Sequence, residues 1–152
     1  MSQIIGIGGF SNCGKSSSLA TLNPEETFII SCTPKQLTIP GFRRKYKKLT
    51  IESGKPSGNW FFSNDFNQVS KIVKIIDKNM PHIKTLVIDD ANYLLTQELM
   101  TRAMEKGYDK HTELAKHYYD FIIEAMTMRD DLTMVFISHI VNDGTDIDPK
   151  YK

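Results

Sequence analysis

The sequence predicts an α/β fold in three layers, a largely parallel sheet flanked by helices. Three observations carry that expectation. A glycine-rich turn near residue 9 joins an apolar strand-like run to a helix-forming run. Strand-like and helix-like segments alternate along the chain. The stretch Leu86, Val87, Ile88 is apolar without alternation, as strands buried on both faces are.

The first strand is expected over 3–8, and a helix from Lys15 to about Leu22, stopped by Asn23-Pro24 because the residue before proline avoids helical geometry. A strand over 27–32 follows directly. The region 33–64 reads as irregular, with Pro34, Pro40, Pro56 and several glycines, and short strand candidates at 48–52 and 59–62. Asp65 is placed to cap a helix in which Phe66, Val69, Ile72, Val73 and Ile76 recur at helical spacing before Pro81. A buried strand is expected over 84–89 and a helical stretch over 92–106, ending at Gly107. A longer helix over 110–129 turns Leu114, Tyr118, Phe121, Ile122 and Ala125 inward. Asp130-Asp131 then turns the chain into a last strand over 133–138. No internal repeat is visible.

A chain of 152 residues can bury one ordinary core, so 1–152 reads as a single domain, with 33–64 as a basic and aromatic insertion. Lys and Arg number 19 against 18 Asp and Glu, so affinity for a polyanion has to come from local clustering. Cys13 and Cys32 have neither metal-ligand spacing nor the density of a disulfide scaffold, which points to a reduced cytoplasmic setting. The opening residues lack a basic leader, and no apolar stretch approaches the ~20 residues of a membrane span. Neither export nor a membrane partner is expected.

The run Gly9-Phe10-Ser11-Asn12-Cys13-Gly14-Lys15-Ser16 matches G-x-x-x-x-G-K-[ST] and lies between an expected strand and an expected helix, where such a phosphate-binding loop has to lie. Gly14 admits close backbone approach, the successive N–H groups through Ser17 face one concavity, and a helix start presents partial positive charge to the anion. Lys15 supplies a mobile cation for the β and γ phosphates of ATP or GTP, and the Ser16 hydroxyl is a candidate Mg²⁺ ligand. A dinucleotide fingerprint fails, because the third glycine position is Ser11 and no acidic residue ends the next strand.

Leu86-Val87-Ile88-Asp89-Asp90 has the form of a Walker B strand, in which Asp89 reaches Mg²⁺ at the carboxyl edge of the sheet; the plain alternative is a helix cap. Asp90 stands where a water-orienting carboxylate is expected. The last strand ends in Ser138 and His139, polar groups placed to sense a γ-phosphate or simply to turn the chain. His82, His111 and His117 have no partners at zinc-ligand spacing.

Arg43, Arg44, Lys45, Lys47 and Lys48 place five cations in six positions, between Phe42 and Tyr46 and ahead of Trp60-Phe61-Phe62. Phosphate attraction with ring stacking is the chemistry of single-strand binding. A solvated loop and a contact to a neighbouring subunit's nucleotide are the competing readings.

These residues together resemble the phage-encoded RecA-like P-loop ATPases, small AAA-type ATP-binding domains near the single-strand-annealing recombination ATPases. The resemblance covers nearly the whole chain. It rests on the 9–16 loop, on Pro34-Lys35-Gln36-Leu37 leading through Pro40-Gly41-Phe42 into the basic run, on Ile83-Lys84-Thr85 entering the acidic strand, on Glu105-Lys106-Gly107-Tyr108-Asp109-Lys110, and on Arg129-Asp130-Asp131-Leu132-Thr133. It implies a P-loop NTPase of the RecA-like (ASCE) type acting in phage DNA recombination or replication in the host cytoplasm, on single-stranded DNA, as a homo-oligomer or beside other DNA-processing proteins. Two departures follow. The strand after the loop helix ends Ser31-Cys32-Thr33 where such enzymes carry a catalytic glutamate, which leaves Asp90 or Glu52 as substitutes. The family also continues past the equivalent of Lys152, so the domain is expected to lack its last strands.

The expectation is an ATP-binding protein and Mg²⁺-dependent ATPase. Lys15, Asp90 and His139 are its catalytic candidates, Ser16 and Asp89 its metal ligands. A non-hydrolysing nucleotide switch and a small-molecule kinase are the alternatives.

Overall fold

The computed structural model describes residues 1–140. In chain order it contains β1 (Gln3–Gly9), α1 (Lys15–Ser18) running into a 3-10 turn (Leu19–Thr21), β2 (Thr27–Ser31), α2 (Phe42–Lys45), β3 (Thr50–Glu52), β4 (Lys55–Ser57), β5 (Trp60–Phe62), α3 (Phe66–Asn79), β6 (Thr85–Asp89), α4 (Asn92–Thr101), α5 (Asp109–Met126) and β7 (Thr133–His139). Residues 141–152 lie outside the described residues.

Five strands form one sheet in the order β1-β7-β6-β2-β5, and each neighbouring pair is parallel. The chain leaves β1, passes over two strand positions to lay down β2, adds β5 outside it, and returns to fill β6 and then β7. The carboxyl tips of β1, β7 and β6 therefore stand side by side. Gly9 pairs with His139, and Ile88 at the end of β6 with Phe136 of β7. In open α/β sheets that edge is where ligands bind.

Side chains of the central strands alternate between two cores, as the strand period of two requires. Phe28, Ile30, Leu86, Ile88, Met134 and Phe136 pack against α3, α4 and α5. Ile29, Val87, Val135 and Ile137 face the other way, onto Leu19, Leu37, Ile39, Phe42 and Tyr46. The expected alternation of layers is present, with one difference: the second covering layer is mostly loop. Leu37 and Ile39, inside the stretch expected to be irregular, are buried at 3% and 4%.

Local chemistry explains where elements end. Asp65 caps α3 by accepting from Gln68 N at 2.9 Å. Arg129 closes the other end, its guanidinium donating to the carbonyls of Ile76 at 2.9 Å, Asp77 at 2.8 Å, Met80 at 3.2 Å and Ile83. The Ile76 and Met80 carbonyls also accept backbone N–H groups, so the guanidinium adds a second donor there, at a helix end where a cation is favoured by the dipole. Arg129 was expected to end α5, which instead stops at Met126. The helix after the 9–16 loop is shorter than the expected run to Leu22. Ser18 Oγ donates to Lys15 O at 2.6 Å and Thr21 Oγ1 to Ser18 O at 2.9 Å, side-chain bonds that compete with the helical ladder. The stretch expected to be helical to Lys106 leaves α-geometry after Thr101, and Arg102 pairs with Glu105 across the turn.

β4 was not foreseen. It pairs antiparallel with β3 through a tight turn at Ser53 (φ 49°) and Gly54 (φ 77°), both left-handed as such hairpins need. Glu52, a possible substitute for the catalytic glutamate, lies exposed on this separate hairpin opposite Lys55, away from the tips of β1, β7 and β6.

Candidate functional site

The 9–16 loop leaves the tip of β1 and closes on itself through Cys13 N donating to Phe10 O at 3.4 Å. Asn12 (φ 61°) and Gly14 (φ 87°) are both left-handed, and a Cβ added at Gly14 meets nothing within 4 Å, so its glycine is demanded by backbone conformation rather than by crowding. Lys15 Nζ is drawn into the loop, donating to the carbonyls of Gly9 and Phe10 at 2.6 Å each and lying 3.6 Å from Cys13 Sγ. Because α1 has only four residues, the helix dipole adds less than a full helix would. Attraction of an anion falls mainly on the loop amides and on Lys15.

Across the crevice Asp89, fully buried at the end of β6, accepts a hydrogen bond from Ser16 Oγ to Oδ1 at 3.0 Å. Its Oδ2 is buried without a hydrogen-bond partner among the described residues. Burial first, and then the charge of Asp90, raises the Asp89 carboxyl above the usual carboxylate range; the Ser16 hydroxyl, Lys35 and His139 act in the opposite direction. An unsatisfied buried carboxylate oxygen beside a serine hydroxyl is a hard oxygen donor set, and it fits a small divalent cation such as Mg²⁺.

Asp90 takes a left-handed backbone (φ 58°) that turns its carboxylate along the tips of the sheet. It is 1% exposed, and three groups surround it. Lys35 Nζ lies 2.6 Å from Oδ2, Thr33 Oγ1 donates to the same oxygen at 3.0 Å, and His139 Nε2 lies 2.9 Å from Oδ1. The other ring nitrogen of His139, Nδ1, is 3.4 Å from Lys15 Nζ. Lys35, Asp90, His139 and Lys15 thus form a continuous line of polar contacts. Thr33 and Lys35 were not singled out as site residues, although Lys35 stands in the Pro34-Lys35-Gln36-Leu37 run. Ser138 sits one residue back from that line, opposite Gly8 in the β1–β7 register.

A cleft of about 500 Å³ is lined by Ser11, Asn12, Cys13, Gly14, Lys15, Ser16 and Ser17 on one side, by Lys35 to Thr38 on the other, and by Tyr93 and His139, with Asp89 and Asp90 reached behind Ser16, Lys35 and His139. Ser17 Oγ and Thr38 Oγ1 join the two walls at 3.0 Å. The volume is that of an ordinary small-ligand site. A second cleft, of about 570 Å³, lies among α3, α4 and α5. Several of its polar side chains are engaged with one another, Glu98 with His117 at 2.7 Å, Ser70 with Glu124 at 2.8 Å and Asn64 with Gln97 at 3.3 Å.

The basic run is partly helical, as α2. Arg43, Arg44, Lys45, Lys47 and Lys48 are all exposed, and none has a carboxylate partner among the described residues. The flanking rings do not accompany them. Phe42 and Tyr46 are 6% and 3% exposed and stack on each other at 5.2 Å, with Trp60 edge-on to Phe42 at 5.7 Å. Stacking of bases on Phe42 and Tyr46 is therefore excluded; Phe62 is the most open ring of the set at 40% exposure, with Trp60 and Phe61 half-buried. The run also sits toward the amino edge of the sheet: Lys47 N donates to Asn59 Oδ1 at 2.7 Å, and Asn59 Nδ2 to Pro24 O at 2.8 Å, ahead of β5 and β2.

The architecture is that of an α/β protein with a five-stranded parallel sheet flanked by helices, compatible with three layers, and no helix among the described residues is long and apolar enough to cross a membrane. Compared with known proteins, the chain matches no family model and no curated protein at a significant level.

Proposed function

We propose that this chain binds a nucleoside triphosphate, ATP in the first instance, in the cleft beside the 9–16 loop, as a P-loop protein of the RecA-like type. One observation carries the reading. The hydroxyl of Ser16, last residue of the G-x-x-x-x-G-K-[ST] run, meets Asp89 at 3.0 Å, at the edge of the sheet where strand tips gather. A motif matched by chance has no reason to end on a buried, half-satisfied carboxylate.

In this reading the amides of residues 11–17 and the Lys15 ammonium hold the phosphate chain, Lys15 exchanging its bonds to the Gly9 and Phe10 carbonyls for phosphate oxygens. Ser16 and Asp89 would hold Mg²⁺, which when bound neutralises charge on the β and γ phosphate oxygens. His139, between Lys15 and Asp90, is positioned to read the terminal phosphate. Hydrolysis follows slowly, because Asp90, the carboxylate available to orient water, is engaged by Lys35 and Thr33. The five exposed cations of the basic run make single-stranded DNA the polyanion of choice, which supports a role in phage DNA recombination or replication.

The test is phosphate release from Mg·ATP with and without single-stranded DNA, with Lys15→Ala as the blank. Release that DNA stimulates and that disappears in the variant is the expected result. The pairing of Asp90 favours a second reading, a nucleotide switch that binds without turnover. Tight ATP binding by the wild type, with release no faster than in Lys15→Ala, would establish it. Equal ATP affinity in both proteins would refute the nucleotide site altogether.

A further inference from the structure

We infer that Lys35 is a second ligand of the terminal phosphate and sets the preference for triphosphate over diphosphate. The inference rests on the nucleotide reading of the cleft and extends it to a residue on the opposite wall. Thr33, Leu37 and Ile39 are buried at 6%, 3% and 4%, so residues 34–36 form a short exposed arch anchored on both sides. Lys35 is the one charged residue of that arch, and it borders the cleft facing the 9–16 loop.

Its side chain is half exposed, so only the ammonium is committed, at 2.6 Å from Asp90 Oδ2. The carboxylate end of the pair is buried, so Lys35 leaves it only for a stronger anion. Asp90 is prepared for the loss. Thr33 donates to the same Oδ2 at 3.0 Å, so that oxygen keeps a hydrogen bond when Lys35 leaves, while Oδ1, which has no hydrogen-bond partner among the described residues, keeps the His139 ring 2.9 Å away. A terminal phosphate bound against Lys15 arrives next to His139, one contact from Asp90, and offers more charge and more acceptor oxygens than a single carboxylate. Lys35 then crosses from Asp90 to the phosphate. A diphosphate, which leaves that position without an anion, gives it no reason to move.

The experiment measures affinity for Mg²⁺ complexes of a non-hydrolysable triphosphate analogue and of the diphosphate, in wild type, Lys35→Ala, Lys35→Arg and Lys15→Ala. Lys35→Ala is expected to bind the triphosphate about ten-fold more weakly and the diphosphate within about two-fold of wild type, as a single charge-assisted contact implies. Lys35→Arg should recover most of the difference, since charge and reach are kept. Asp90→Asn, which frees the ammonium, should sharpen the preference. An unchanged triphosphate-to-diphosphate ratio in Lys35→Ala, with both still lost in Lys15→Ala, overturns the role of Lys35 and leaves the cleft assignment standing. Binding of neither nucleotide by the wild type overturns both.

Discussion

Ser16 and Asp89, 73 residues apart, are joined by a single 3.0 Å hydrogen bond that holds the 9–16 loop against the tip of β6. The carboxylate on the far side of that bond is costly to the ligand-free fold, because it is fully buried, lies beside Asp90 and has one oxygen unsatisfied. A carboxyl raised in the folded state disfavours folding once pH climbs above its ordinary value, and the cost grows as pH rises toward the folded-state value. Asp89→Asn is expected to stabilise the ligand-free protein by on the order of 1 kcal/mol. That corresponds to roughly 2–4 °C in a domain of this size. If the proposed site holds, Mg²⁺ with triphosphate should raise the melting temperature of the wild type and not that of this variant. A lower melting temperature without ligand would mean that the carboxylate is structural.

The two cysteines should behave differently toward a thiol reagent. Cys32 is 1% exposed, and burial, followed by the charges of Asp89 and Asp90, pushes its thiol up to about 12. Cys13 is exposed in the loop. One thiol should label in the native protein at pH 8 and two after unfolding, and Mg·ATP should protect the first. Labelling of Cys13 at the same rate with saturating nucleotide would place the ligand elsewhere. At alkaline pH the sign is also fixed: Cys32 ionises in the unfolded chain near 9 and in the fold near 12, so it lowers stability as pH rises through that interval.

The parts of this site that could be read from sequence are those that are local. The 9–16 loop and the strand ending in Asp89 are contiguous runs, each with its own flanking context, and the structure puts them together. The Lys35–Asp90 pair is not local. It depends on β2 and β6 being neighbours and on the left-handed turn at Asp90, neither of which has a signature in the residues alone. The aromatic part of the basic run was misread although a signal existed. Phe42 and Tyr46 are four apart, the spacing of one helical face, and α2 uses that face for the core. The amphipathic helix α3 was legible to within a residue because burial and capping agree there.

Oligonucleotide binding should therefore be governed by charge and hardly by rings. Replacing Arg44, Lys47 and Lys48 together by Gln should reduce the slope of log affinity against log salt by about 2, at roughly 0.7 per single-strand phosphate contact. Phe42→Ala should act on stability instead, by ~3–5 kcal/mol, as loss of a buried aromatic does. An unaltered salt slope in the triple variant would assign the basic run to ordinary solvation.

Gly58 supports that run from behind. Its φ is +98°, and an added Cβ would lie 2.5 Å from Lys48 O and 2.9 Å from Lys47 O, both backbone atoms. Gly58→Ala is expected to destabilise by ~1–3 kcal/mol, read as a lower urea midpoint with an unchanged slope. A midpoint equal to wild type would show that the 47–49 segment shifts freely away from β5.

Arg129 stands in one of the runs on which the expected family resemblance rests, and its guanidinium reaches the carbonyls of Ile76, Asp77, Met80 and Ile83 at the exit of α3 and, through Nε at 2.9 Å, the Asp131 carboxylate. What makes that signature recognisable is thus a buttress between two elements and not a reagent. Its loss would be felt in the cell as less protein, through faster clearance of the unfolded chain, while each surviving molecule kept its site intact. A screen that scores only biological output would report Arg129 and Lys15 as equally essential, and measurement of protein abundance would separate them.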